Sequence, residues 1–224
     1  MQREGNYPGM RVIIFGATGM VGQAVLRECL RAEIVKSVLA VGRSSTEATH
    51  PKLRELILKN MFAFEAGPEI GGHDACFFCL GVSSAGMSEE DYTRITFDLT
   101  LGWAKMLASL NAAMTFIYVS GAGTGGRSMW AQVKGRTEKA LLEIFPSAYM
   151  FRLAALQPMN DEVSKTRWTR IGYALFRPLW PLVRAIAPGA VITTEELGRA
   201  MIRVAREGAD KSVLESRDLI ALGS

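Results

Sequence analysis

Histidine and cysteine are scarce in this sequence, with two and three residues respectively among 224. Zinc sites are built largely from these residue types, so we expect no metal centre. Cys29, Cys76 and Cys79 form an odd set without a disulfide framework. The apolar run 74–80 is typical of a buried strand, in which side chains three residues apart point to opposite faces. We therefore expect Cys76 and Cys79 to be core cysteines rather than a redox or metal pair.

Long apolar runs are also lacking. No segment approaches the roughly 20 uncharged apolar residues that a membrane-spanning helix requires. Residues 1–10 are polar and lack the apolar core of a signal peptide. We expect a cytoplasmic protein.

Acidic residues are absent from one segment, 163–194, which contains five basic residues. These five more than account for the net charge of +4, so the calculated pI near 9.1 reflects one local segment. Such a local charge does not indicate a nucleic-acid-binding surface, and we expect no nucleic-acid partner. The basic residues are Lys165, Arg167, Arg170, Arg177 and Arg184.

Strand-like apolar runs alternate with segments of helical periodicity along the chain. This alternation is typical of an α/β fold of the Rossmann type, with a doubly wound parallel sheet. We expect a single NAD(P)-binding domain over 1–224, with a small carboxy-terminal substrate lobe at 154–192. The predicted strands are 11–15, 37–41, 56–58, 75–80, 114–119 and 149–153, and the predicted helices are about 20–31, 88–111, 128–145 and 193–206.

The first predicted strand leads directly into the turn Gly16-Ala17-Thr18-Gly19-Met20-Val21-Gly22, which begins the first helix. The start of a helix offers N–H groups and partial positive charge to a pyrophosphate. Glycines at these spacings permit the tight turn, the approach of the phosphates and close packing of helix on strand. We predict that Gly16, Thr18, Gly19, Met20 and Val21 bind a nicotinamide dinucleotide.

The residue at the end of the second strand indicates which dinucleotide the chain binds. NAD-specific sites place an acidic residue here against the ribose 2′-hydroxyl. This chain has Arg43, which would bind a 2′-phosphate in bidentate fashion. We predict NADP(H), with NAD as the alternative cofactor and a solvated surface arginine as the structural alternative. Leu80 and Gly81 end the fourth strand and should line the cofactor, although Gly81 is equally compatible with the start of a loop.

Together with the glycine turn, three further motifs resemble one family. They are Cys-Leu-Gly-Val-Ser-Ser at 79–84, Tyr-Val-Ser-Gly at 118–121 and Trp-Ala-Gln-Val-Lys-Gly at 130–135. The chain resembles the atypical short-chain dehydrogenase/reductases, in the NAD-dependent epimerase/dehydratase-like branch related to the Tat-interacting oxidoreductase family. The resemblance is strong from Arg11 to Leu153 and looser to about Ser216.

The resemblance implies a catalytic Tyr-x-x-x-Lys pair on one helix. The lysine corresponds to Lys134, which would hold the nicotinamide ribose, but the tyrosine position is Trp130. An indole N–H is a donor and not a usable acid near neutral pH. Ser120 matches the first serine of a Val-Ser-Ser motif in the resembled family and would polarise a substrate oxygen. The chain departs from that family at the next position, where Gly121 replaces the second serine. Packing of Trp130 under the loop and solvation of Lys134 are the structural alternatives.

Other hydroxyls near strand ends could replace the missing acid. Ser83, Ser84, Thr124 and Tyr118 are candidates, although Tyr118 lies mid-strand, where tyrosine more often packs in the core.

The segment 166–184 mixes large apolar side chains with arginines. The resemblance implies a substrate cover over an apolar pocket, while the composition also fits a helix in weak contact with a membrane surface. A lid whose arginines reach water is the third interpretation. The sequence thus predicts an NADP(H)-dependent oxidoreductase or epimerase-like enzyme acting on a small-molecule substrate, with a non-catalytic, cofactor-sensing binding protein as the alternative.

Overall fold

Seven parallel strands form the central sheet of the computed structural model, which describes residues 9–65, 67–159 and 189–224. The sheet order is β3-β2-β1-β4-β5-β6-β9, and β7 pairs with β8 in a separate two-stranded sheet. The strands are β1 Met10–Phe15, β2 Val35–Gly42, β3 Leu53–Ile57, β4 Ala75–Phe78, β5 Thr115–Gly121, β6 Ala148–Leu153, β7 Ala155–Gln157, β8 Val191–Thr193 and β9 Val213–Glu215.

Helices cover both faces of this sheet. The described helices are α1 Met20–Arg31, α2 Glu89–Thr93, α3 Leu99–Leu110, α4 Met129–Ile144, α5 Thr194–Glu207 and α6 Ser216–Gly223. A π-helical turn, Arg94–Asp98, joins α2 to α3 without a break. One core packs α1, α5 and α6 against the sheet, and the other packs α3 and α4 against the opposite face. The predicted doubly wound Rossmann fold is therefore confirmed.

The helix ends follow the local chemistry of the sequence. The Ser88 hydroxyl accepts from the Asp91 N–H at the start of α2, and Thr193 forms a capping box with Glu196 at the start of α5. Ser128 stands at the N-cap of α4, as expected, but its side chain makes no capping bond. Tyr92, Leu99 and Trp103 are buried on the long helical stretch, as their spacing predicts.

The sequence-based prediction placed β3 incorrectly and did not include the three shortest strands. β3 begins at Leu53, three residues before the predicted start, and β7, β8 and β9 were not predicted. The last three have three residues each, too few for alternation to appear. Most of the predicted lobe 154–192 and the whole of 166–184 lie outside the described residues. Within the described ranges, no helix is long and apolar enough to cross a membrane.

Cys29 and Cys76 are buried in the core, as predicted, whereas Cys79 is only partly buried. Cys76 lies among the side chains beneath α3 and α4, whereas Cys79 packs on the face that carries α1. Burial raises the pKa of the Cys79 thiol to about 12. The two sulfur atoms therefore lie on opposite faces of the sheet.

Candidate dinucleotide site

The turn after β1 requires glycine at two positions. Gly16 has φ of +79°, and a Cβ there would lie 2.8 Å from the backbone N and Cα of Leu80. A Cβ on Gly22 would overlap the carbonyl oxygen of Gly16. Gly16 therefore lets the chain turn beside β4, and Gly22 lets α1 pack directly on that turn.

The first turn of α1 presents backbone donors. Gly19 is its N-cap, without a side chain to occupy the N–H groups of Met20 and Val21, which lack intrahelical acceptors. The first turn carries no acidic side chain. The side chains of Met20 and Val21 instead pack partly buried against the core. Their contribution to a bound anion would therefore come from their backbone.

A cavity of about 610 Å³ lies over the carboxyl ends of the parallel strands. Two of its described lining residues, Arg43 and Lys59, are cationic, and none of them is acidic. The predicted residues Gly16, Thr18, Gly19, Arg43, Leu80 and Gly81 all line this one cavity. A Cβ on Gly81 would meet nothing within 4 Å, so the space beside Gly81 is open.

Several lining residues were not predicted from the sequence. Met61, Ile95 and Leu99 supply apolar surface, and Asn60 and Lys59 follow the end of β3. Because β3 lies beside β2, the residues after it reach the same edge of the sheet as Arg43. Which strand lies beside β2 depends on the tertiary fold, so the sequence alone did not predict this neighbourhood.

Lys134 lies on α4 against the end of β5. Its Nζ is 3.4 Å from the carbonyl oxygen of Val119 and 3.5 Å from Oη of Tyr118. Burial lowers the pKa of Lys134 from 10.5 to about 8, and the Glu138 carboxylate acts in the opposite direction. Lys134 therefore changes charge close to neutral pH.

Trp130 lies one turn before Lys134 on the same helix and is half-buried. Its ring is 3.6 Å from the point where a Cβ on Gly121 would stand, and 3.8 Å from the same point on Gly123. The indole therefore packs on the glycine-rich loop that follows β5.

Ser120 is buried at the end of β5 and bonded to Thr124, their hydroxyl oxygens 2.8 Å apart. The Thr124 hydroxyl donates to the carbonyl of Gly121. A hydroxyl has one proton, so Ser120 must donate to Thr124. Ser120 would have to release this bond before donating to a substrate oxygen.

The other candidate hydroxyls differ in exposure. Tyr118 is 1% exposed, and burial raises its pKa, so it suits neither contact with substrate nor proton donation. Ser83 is exposed and its oxygen accepts from the N–H of Ala85.

An ion pair with a buried carboxylate fixes α4 against β6. Arg152 donates to the carboxylate of Glu138 at 2.6 Å and also reaches Glu215 on β9 at 3.4 Å. Glu138 is 3% exposed and lies one turn beyond Lys134. The pair therefore holds the helix that carries Trp130 and Lys134 against the sheet.

Comparison with known proteins supports the resemblance. No family model matches the chain. It is 25% identical over 221 residues to Protein HTATIP2 of Rattus norvegicus, which covers 95% of this chain and 88% of that protein. The resemblance to the Tat-interacting oxidoreductase family is thereby confirmed.

Solved structures agree on the fold. The Bordetella bronchiseptica enzyme WbmF in complex with NAD+ superimposes with a TM-score of 0.67 at 14% identity, covering 95% of this chain and 77% of that one. An ADP-L-glycero-D-manno-heptose-6-epimerase of Helicobacter pylori gives a TM-score of 0.64 at 15% identity, covering 92% and 74%. The predicted Rossmann fold is thus confirmed.

Proposed function

We propose that this relative of Protein HTATIP2 is an NADP(H)-dependent oxidoreductase or epimerase-like enzyme of the atypical short-chain class. The observation that carries the proposal is the cavity at the carboxyl edge of the sheet, bounded by the Gly16–Gly22 turn. Its volume of about 610 Å³ lies within the range of ligand sites. The close contacts at Gly16 and Gly22 fix the start of α1 beside β4, and Gly19 at its N-cap leaves the first-turn N–H groups open to a pyrophosphate.

The charge of the cavity favours the phosphorylated dinucleotide. Arg43 is exposed at the end of β2, and no described residue forms an ion pair with it. A carboxylate that would accept from a ribose 2′-hydroxyl is absent from the described lining. These features support NADP(H) over NAD(H).

The residues of α4 and β5 would serve the nicotinamide end. A bound nicotinamide supplies or accepts a hydride. Lys134 would donate a hydrogen bond to the nicotinamide ribose. Below a pH of about 8 the lysine is charged, and its charge would strengthen this bond. Ser120 would orient a substrate oxygen after breaking its hydrogen bond to Thr124. Trp130 would exclude water from the site. The substrate would lie beneath the 154–192 lobe.

Trp130 also favours a second function, a cofactor-sensing binding protein. The chain retains the cofactor cavity and Lys134, but an indole stands where the resembled family has its acid. Such a protein would bind NADPH without turning over a substrate.

Two measurements test these proposals. NADPH and NADH titrations should give tighter binding of NADPH, and Arg43→Ala should narrow the difference by about tenfold or more, the contribution of a charge-assisted hydrogen bond. Equal affinities in the unaltered protein would refute NADP selectivity. A carbonyl-compound screen then separates the two functions, because substrate-dependent NADPH oxidation is expected only of the enzyme.

For the basic segment 166–184 we propose a substrate cover, with weak membrane contact as the alternative partner. Neutralising Arg170 and Arg177 should then alter substrate binding and leave NADPH affinity unchanged. Co-sedimentation with anionic liposomes at low salt, reversed by added salt, would favour the membrane interpretation instead.

A further inference from the structure

Lys59 lies beside the ribose-reading position although 16 residues separate it from Arg43 in the sequence. Ile57 at the end of β3 pairs with Gly42 at the end of β2, and the Leu58 N–H donates to the Gly42 carbonyl at 2.9 Å. The residues that follow both strands therefore leave the sheet side by side. Arg43 and Lys59 line the same cavity.

No carboxylate opposes these two cations within the described lining. The nearest acid on β3, Glu55, is occupied by the loop after Arg43. It accepts from the Ser45 hydroxyl and the Thr46 N–H, each at 2.7 Å, and from the Thr46 hydroxyl. Burial acts to raise the pKa of Glu55, but these hydrogen bonds outweigh it and lower the pKa.

Glu55 therefore anchors the loop, and it is not among the described residues that line the cavity. No described residue forms an ion pair with Lys59. One end of the cavity thus carries two unopposed positive charges.

We infer that Lys59 is a second specificity-determining residue, which completes with Arg43 a two-cation site for the phosphomonoester on the adenosine ribose. The inference rests on the proposed dinucleotide function. A phosphomonoester carries about −1.5 to −2 charges at pH 7, so one arginine leaves part of that charge unbalanced. Arg43 presents a planar fork to two phosphate oxygens, and Lys59 supplies the second charge as a mobile ammonium.

The size of the effect follows from exposure. Lys59 is solvent-exposed, so its interaction is screened and we expect a loss of about fivefold in affinity on its removal. The loss should be confined to ligands with the 2′-phosphate and should shrink at high salt.

The test uses adenosine fragments and requires no catalysis. Adenosine 2′,5′-bisphosphate and 5′-AMP are titrated calorimetrically into the full-length protein and into Lys59→Met, Lys59→Arg and Lys36→Met. Lys36 is exposed on β2 near its amino-terminal end, at the opposite edge of the sheet, and provides the matched charge control. Lys59→Met should weaken only the bisphosphate, Lys59→Arg should restore most of the affinity, and Lys36→Met should change neither ligand.

Two different failures are distinguishable. If the unaltered protein binds the bisphosphate more tightly than 5′-AMP and Lys59→Met binds it equally well, the inference about Lys59 is wrong and the dinucleotide function stands. If the unaltered protein binds neither fragment, nor NADPH or NADH, the proposed function is wrong and the inference with it. A parallel loss for both fragments in Lys59→Met would also overturn the inference, because it would indicate a general effect on the cavity.

Discussion

Replacing Lys134 with methionine tests how strongly the fold disfavours its charge. Burial lowers the pKa of this lysine from 10.5 to about 8. Below pH 8 both folded and unfolded chains carry the charge, and the folded chain bears the full cost of burying it. One pKa unit corresponds to about 1.4 kcal/mol, so this cost is about 3 kcal/mol. Lys134→Met should therefore be more stable than the unaltered protein at pH 7.

The sign of the pH dependence follows from proton binding. Between pH 8 and 10.5 the unfolded chain binds the lysine proton more strongly than the folded chain. Stability of the unaltered protein should thus rise across this window relative to Lys134→Met. The advantage of the variant should be full below pH 8 and should decline steadily towards pH 10.5.

Urea denaturation at intervals from pH 7 to pH 10 measures this difference. Lys139→Met, at an exposed position of the same helix, reports the effect of the same exchange on the helix surface. A stability difference between Lys134→Met and the unaltered protein that stays constant with pH would refute the reasoning. The reasoning would also be refuted if the unaltered protein were more stable than Lys134→Met at pH 7.

Three further predictions concern the same edge of the sheet. Gly22→Ala should abolish NADPH binding and lower the free energy of unfolding by about 1–3 kcal/mol, since its Cβ overlaps the Gly16 carbonyl; titration and denaturation measure both. Glu138→Gln should cost about 1–3 kcal/mol in denaturation, because it removes the charged partner of the half-buried Arg152. Trp130→Tyr should gain or increase NADPH-dependent reduction of small ketones or aldehydes, measured by NADPH absorbance, since it restores an acid beside a cationic lysine.

Each of these has a matched control. Gly81→Ala adds the same methyl group where nothing lies within 4 Å and should leave stability unchanged. Adding Arg152→Met to Glu138→Gln should cost less than the sum of the two single changes. Trp130→Phe removes the indole without adding an acid, so unchanged turnover in an active natural enzyme would mean that other residues carry the proton. A folded, NADPH-binding but inactive Trp130→Tyr variant would favour the sensing function.

The glycine-rich part of the candidate site could be predicted from the sequence because its residues are local. Gly16, Gly19 and Gly22 act on one turn and one helix, so their spacing encodes their geometry. Arg43 was found by its distance from that turn. Lys59 was missed because its position depends on which strand lies beside β2, and the three half-buried and two exposed residues of β3 give no clear alternation.

The relation between two unusual residues was equally hidden. Trp130 and Gly121 each depart from the resembled family, and the sequence presents them as separate changes. In the structure the Trp130 ring lies over Gly121. A Cβ on Gly121 would be in van der Waals contact with that ring. Only tertiary packing reveals that the two departures are neighbours in space.

The π-helical turn at Arg94–Asp98 lets the long helix behind the cavity hold one more residue than a regular α-helix would. A π turn accommodates one more residue than an α turn over about the same rotation. Deleting a single residue there would therefore give a regular α-helix in which buried Tyr92 and Trp103 keep their present directions. Regularising the helix with all its residues kept would instead rotate its first part by about 100° relative to its second. The π turn thus preserves the surface that Ile95 and Leu99 offer to whatever occupies the cavity.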